Sequence, residues 1–241
     1  MIGVAAFAAT ETGIRALELV PALPVRAASV IKPLLAWVAG DMAIAVRDDH
    51  AWRALSARAV TISDNAATAE LWARYGAEEL LASLNRRIGT DWMIDGDGEH
   101  PALRIMVTAG GLARAFAALA SDRTDVGREV RQWMRDVPPE QTFGVRRVAG
   151  DALGVAACEV GVKCGWFGGE RAHAVVLVET ASGTVGSAVI TSTAPDEATR
   201  ASLHAAIGDD MKLAAVHDAL AGAQIRAATR RALLETSKLR P

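Results

Sequence analysis

Two short apolar runs, residues 2–8 and 13–20, flank Thr10-Glu11-Thr12-Gly13. Runs of this length on either side of a polar, glycine-containing turn predict a β-hairpin. Residues 29–38 are almost continuously apolar and fit a buried helix, with Pro33 near a first turn where a missing N–H is tolerated. Helical spacing then recurs over 66–75 and 77–85, with Gly76 as a natural stop between them, and over 112–120 and 126–134. Beyond residue 152 the pattern changes: 155–162, 173–180 and 186–193 are β-rich and separated by glycine-containing turns. Residues 196–208 and 209–237 return to helical character, the latter rich in Ala and Arg.

Strands at both ends of the chain and helices between them predict an α+β fold, because the two kinds of element are segregated and do not alternate. One antiparallel sheet is then built from both chain ends. A single domain over 1–241 is expected, with 1–28 and 150–241 forming an α/β part and 29–149 a mainly helical part.

At 241 residues, 51% hydrophobic and 22% charged, the chain is large enough to bury a substantial core unaided. A formal net charge of -2 gives no electrostatic footprint for nucleic acid, so the partners expected are small molecules or peptides. The apolar runs are interrupted by Arg, Asp or Gly before bilayer-spanning length, so no membrane span is expected. The first seven residues lack the basic start, long apolar run and cleavage site of a secretory signal. That reading places the protein in the cytoplasm if the chain is complete, and outside it if the chain is a trimmed form. Cys158 and Cys164, six residues apart, are read as free thiols, since an extended segment holds them beyond disulfide reach. His50, His204 and His217 are isolated, and no metal or cofactor motif is present.

Three short motifs carry candidate chemistry. Ser29 and Lys32 stand three residues apart at a predicted helix start, a spacing that puts both on one face. A serine hydroxyl is a weak nucleophile until a neighbouring base accepts its proton, and a lysine of depressed pKa can do so. Ser63-Asp64-Asn65 precedes a helical segment and suits either an N-cap or a second catalytic element. Lys163-Cys164-Gly165, followed by Trp166, ends a β-rich run and reads either as a strand closing in a glycine turn or as a third element.

Ser-x-x-Lys, then Ser-Asp-Asn, then Lys-x-Gly, in that order, is the signature of class A β-lactamases and penicillin-binding proteins. The chain resembles that superfamily over most of its length, with further likenesses at Arg26-Ala27-Ala28, at Thr61-Ile62 and at 108–114. The resemblance implies that Ser29 forms an acyl-enzyme with a β-lactam, a D-Ala-D-Ala-like peptide or a related small amide or ester, with Lys32 as base. It implies that Ser63 relays a proton to the leaving nitrogen, Asn65 orients Lys32 and substrate, and Lys163 supplies positive charge. Cys164, Gly165 and Trp166 would bind substrate, the backbone N–H groups of Ser29 and Trp166 forming an oxyanion hole.

Two departures qualify the implication. Cys164 replaces the family's usual threonine, and a thiol is a weak donor. The family's Ω-loop glutamate, within Glu-x-x-Leu-Asn, corresponds here to the region 91–101, where Glu99 lacks the accompanying Asn. Acylation is therefore expected ahead of turnover. The alternatives are a non-hydrolytic penicillin-binding or scaffolding protein that keeps the pocket, and an intracellular esterase or amidase. Arg171 and His173, near where the family often carries a carboxylate-binding cation, are read as surface charges.

Overall fold

A computed structural model describes residues 1–96, 100–167, 171–191 and 221–239. Five antiparallel strands form the main sheet: β1 (Ile2–Thr10), β2 (Gly13–Val20), β5 (Val160–Phe167), β6 (Arg171–Thr180) and β7 (Gly183–Thr191). Their order is β2-β1-β7-β6-β5, so both ends of the chain contribute and β5 is an edge strand. This is the α+β arrangement read from the sequence.

A second, two-stranded sheet pairs β3 (Val25–Arg26) with β4 (Met106–Val107). Between the two halves of the main sheet lie α1 (Lys32–Ala45), α2 (Asp49–Thr61), α3 (Asn65–Arg74), α4 (Ala77–Ile88), α5 (Ala109–Ser121), α6 (Asp125–Arg135) and α7 (Val145–Leu153). A last described helix, α8, spans Ala223–Glu235.

Strand alternation divides the interior into two cores. On β1, Ala5, Phe7 and Ala9 face the core shared with the helices α1 to α6, and Val4, Ala6 and Ala8 face the core beneath α7 and α8. On β6 the same split separates Val175 and Leu177 from Ala174, Val176 and Val178. Both faces of the central strands β1, β7 and β6 are therefore covered, which is why those strands are nearly all apolar. The Phe7 ring is accommodated by Gly186 on the paired strand: a Cβ there would fall 2.3 Å from the Phe7 Cζ.

The helix predicted over 29–38 begins as a 3-10 turn, Ala28–Ile31, and becomes α-helical only at Lys32, with Pro33 inside its first turn. By length and composition Ala28–Ala45 is apolar enough to cross a membrane, although Lys32, Gly40 and Asp41 fall within it. In the fold, 72% of it is buried, packed among α2, α4, α5 and α6. Its apolar character is thus satisfied by the core. Trp52 donates to the Ala36 carbonyl (2.7 Å) and Trp37 to Asp122 (2.5 Å), so the polar edges of both indoles have partners.

The strand predicted over 155–162 starts later, at Val160, after a 3-10 turn, and runs on to Phe167. Lys163 to Gly165 therefore lie inside a strand and not at its end. Cys158 is exposed in that turn and Cys164 is buried in β5, neither of them in a disulfide. The sequence-predicted helix over 196–208, the start of that over 209–237, the last two residues of the strand predicted over 186–193, and Glu99, His204 and His217 lie outside the described residues.

Candidate active site

The 3-10 turn Ala28–Ile31 brings Ser29 against the edge strand β5. A Cβ on Gly165 would stand 2.6 Å from the Ser29 backbone nitrogen and 2.8 Å from that of Val30. Only glycine permits this approach. Ser29 is 9% exposed, and its hydroxyl makes no hydrogen bond to a described residue. It sits in an opening turn, where backbone N–H groups have no partner within the helix. Ala28, immediately before it, has a φ of 50°, a left-handed conformation that a non-glycine residue holds only when its surroundings enforce it.

Lys32, at the start of α1, is 1% exposed. Its Nζ donates to the Ser63 carbonyl (2.5 Å) and to Asn65 Oδ1 (2.7 Å), and lies 3.4 Å from Ser63 Oγ. The tripeptide meets the capping reading and also brings polar groups to the lysine. Asp64 caps α3, accepting from the Ala67 N–H (3.0 Å) and pairing with Arg58, while its two neighbours turn to the lysine. Ser63 reaches this position with a φ of 60°, a second left-handed non-glycine residue at the site.

Burial pushes the Lys32 amine down to about 6, and the nearby Lys163 pushes the same way, against a smaller opposing pull from Asp64. Lys163, on the face of β5 turned toward α6 and the nucleophile turn, is itself lowered to about 8 by burial. At neutral pH Lys32 is therefore mostly a free amine and Lys163 mostly an ammonium. A neutral amine has two N–H bonds and one lone pair. Its two good acceptors, the Ser63 carbonyl and Asn65 Oδ1, take the N–H bonds and leave the lone pair available to accept a proton.

Of the residues expected here, Ser29, Lys32, Ser63, Asn65, Lys163 and Gly165 converge. Cys164 does not. Alternation along β5 sends its thiol to the opposite face, where it is buried in the core under α7 and α8, so its side chain does not line the site. The Trp166 ring lies on that far face as well, edge-on to Phe143 at 5.8 Å, and only its backbone is directed by the strand that carries Gly165.

Sequence reasoning missed His173. It is fully buried and not a surface charge, and burial lowers it to about 4. The signal was its place inside the apolar run of β6. Arg171 is half-buried, with its Nε in the interior and unpartnered. Arg26, on β3, pairs with Asp95 at 2.7 Å and so ties the approach to Ser29 to the loop that follows α4. That loop folds back on itself through Met106 N–H to the Met93 carbonyl (2.8 Å) and an isolated bridge between Ile94 and Ile105. Asn85 anchors its base by holding both backbone groups of Trp92. Among the described residues no group of three His, Cys, Asp or Glu side chains is arranged to hold a metal.

A serine and a buried lysine at a helix start, a second serine and an asparagine on that lysine, and a further lysine on the adjacent edge strand place the molecule among the β-lactamase-like serine hydrolases. The chain belongs to the β-lactamase enzyme family, whose model matches residues 39–215. That match includes Ser63, Asn65 and Lys163 and begins after Ser29 and Lys32.

Solved structures extend the likeness to almost the whole chain. A variant of the last common ancestor of Gram-negative bacteria class A β-lactamase is 18% identical, with a TM-score of 0.67 over 99% of this chain and 93% of that one. A class A β-lactamase from Mycobacterium abscessus is 14% identical with a TM-score of 0.67 and the same coverage. A β-lactamase from Desulfarculus baarsii is 21% identical, with a TM-score of 0.62 over 96% and 90% of the two chains. At these identities the likeness is one of fold. No curated protein matches the chain.

Proposed function

We propose that the protein is an acyl-serine hydrolase that forms a covalent acyl-enzyme on Ser29 with a β-lactam, a D-Ala-D-Ala-like peptide or a related small amide or ester. The observation that carries this reading is the placement of Lys32: a buried amine at the nucleophile turn, held by the Ser63 carbonyl and Asn65 Oδ1, with burial lowering it to about 6. The Lys32 lone pair takes the Ser29 hydroxyl proton as Oγ bonds to the substrate carbonyl carbon, and the carbonyl electron pair moves onto oxygen. The backbone N–H groups of Ser29 and Trp166 receive that oxyanion. Two such donors contribute several kcal/mol to the transition state. As the carbon–nitrogen bond breaks, the proton passes from Lys32 through Ser63 to the leaving nitrogen. Lys163 attracts the substrate's anionic group and keeps Lys32 neutral.

Removal of the acyl group requires a base that activates water. Among the described residues no carboxylate hydrogen-bonds to Ser29 or Lys32, and Asp95 is engaged by Arg26. Acylation is therefore proposed to outrun deacylation. Incubation with a fluorescent penicillin followed by intact-mass measurement tests this. A single adduct equal to the intact penicillin, absent from Ser29→Ala, is expected, and it should persist over many minutes. No adduct on the wild type, or one that survives Ser29→Ala, overturns the covalent mechanism for this ligand class.

A further inference from the structure

We propose that His173 is a positioning residue for Ser29, holding the backbone at Arg26 so that the chain arrives at the nucleophile turn in the one conformation that sets Ser29 against Gly165. The inference rests on Ser29 being the acylated residue.

The imidazole bridges two elements that no ladder of the main sheet joins. Thr191 N–H on β7 donates to Nδ1 (3.2 Å), so Nδ1 carries no proton. The proton is then on Nε2, which stands 2.9 Å from the Arg26 carbonyl on β3 and donates to it. A fully buried ring with both nitrogens engaged is fixed in tautomer and orientation.

The segment is also held from the loop side. β3 pairs with β4, the Ala27 N–H donates to the Ile105 carbonyl (2.8 Å), and the Arg26 side chain meets Asp95. His173 supplies a hydrogen-bonded tie from Arg26 to the sheet. It stands opposite Gly165 in the β5–β6 register, so the same pair of residues fixes the chain at Arg26 and leaves room for Ser29. Between these two constraints lies Ala28, at a φ of 50°. A residue in that conformation relaxes when its neighbours are released, and the turn carrying Ser29 would relax with it.

Two amide substitutions separate positioning from packing in the full chain. His173→Gln can place its Nε2 donor where the imidazole Nε2 stood. His173→Asn keeps an acceptor for Thr191 but falls short of Arg26. Acylation by a fluorescent penicillin is timed by intact mass, and hydrogen–deuterium exchange is followed in peptides covering 26–31 and, as a control, 109–121.

His173→Asn is expected to acylate ~10- to 100-fold more slowly, the range a displacement of order an ångström produces in a reacting group. Exchange over 26–31 should rise about tenfold in that variant, in line with the loss of one buried hydrogen bond, while 109–121 is unchanged. His173→Gln should stay within about threefold of wild type in both readouts. Equal behaviour of the two variants, wild-type acylation by His173→Asn, or a rise in exchange spread evenly over the molecule overturns the proposal. If the wild type forms no adduct, the acyl-enzyme reading fails, and the exchange comparison alone decides the role of His173.

Discussion

Gly165→Ala isolates the contact between the edge strand and the nucleophile. Gly165 does not have a positive φ, so alanine can adopt its backbone conformation, and the consequence of substitution is steric. The added methyl would sit 2.6 Å from the Ser29 nitrogen, 2.8 Å from that of Val30 and 3.2 Å from the Ser29 Cα. These are backbone atoms, with no rotamer that moves them aside. Restoring an ordinary separation of 3.4 Å requires the strand and the turn to part by about 0.8 Å. An oxyanion hydrogen bond of about 2.9 Å would then stretch to about 3.7 Å, beyond useful length. Loss of one oxyanion donor costs ~10²- to 10³-fold in rate. The fall should appear in the rate of adduct formation, measured by intact mass at a series of penicillin concentrations, while thermal unfolding shows a folded protein. A folded Gly165→Ala acylated within threefold of wild type would refute the placement of the oxyanion donors at this contact.

Two further outcomes follow from the geometry. In the proposed mechanism Lys32 works as the neutral amine and Lys163 as the ammonium, so acylation should rise through about pH 6 and fall above about pH 8. Asn65→Asp places a carboxylate 2.7 Å from the Lys32 Nζ, raises its pKa and should move the acid limb to higher pH; a flat profile, or a limb moved the other way, contradicts the assignment. In the first core, Phe7→Ala removes the ring that fills the space above Gly186 and should lower stability by ~3–5 kcal/mol in urea unfolding; a loss under about 1 kcal/mol would show that the site repacks.

Much of this architecture was legible in the sequence because strand and helix periods are local. The hairpin, the segregation of strands to the two chain ends, and the stop at Gly76 follow from patterns a few residues long. Membership of the family was legible because the order of the three motifs is informative even when each is common. What the sequence left hidden depends on contacts far apart in the chain. The thiol of Cys164 was misplaced because the motif was read as the end of a strand, whereas inside β5 alternation turns Lys163 and Gly165 toward the nucleophile and the residue between them away. His173 was misjudged because its two partners, Arg26 and Thr191, come from different parts of the chain. The small β3–β4 sheet consists of two-residue strands, too short to leave any periodicity.

The buried lysine pair and the two left-handed residues beside it, Ala28 and Ser63, have a thermodynamic meaning of their own. Each left-handed non-glycine residue costs of order 1–3 kcal/mol, and desolvating two amines side by side costs more. These are charges against a folded state whose entire margin is only about 5–15 kcal/mol. Apolar residues of similar length at Lys32 and Lys163, and glycine at Ala28, would ease that load without altering the sheet or its helices. A chain kept only for its shape would drift toward such replacements, gaining thermal resistance as it lost reactivity. Here the most costly part of the molecule is also the proposed reactive site, so stability gained by substitution at these positions would gauge what the fold gives up for the proposed chemistry.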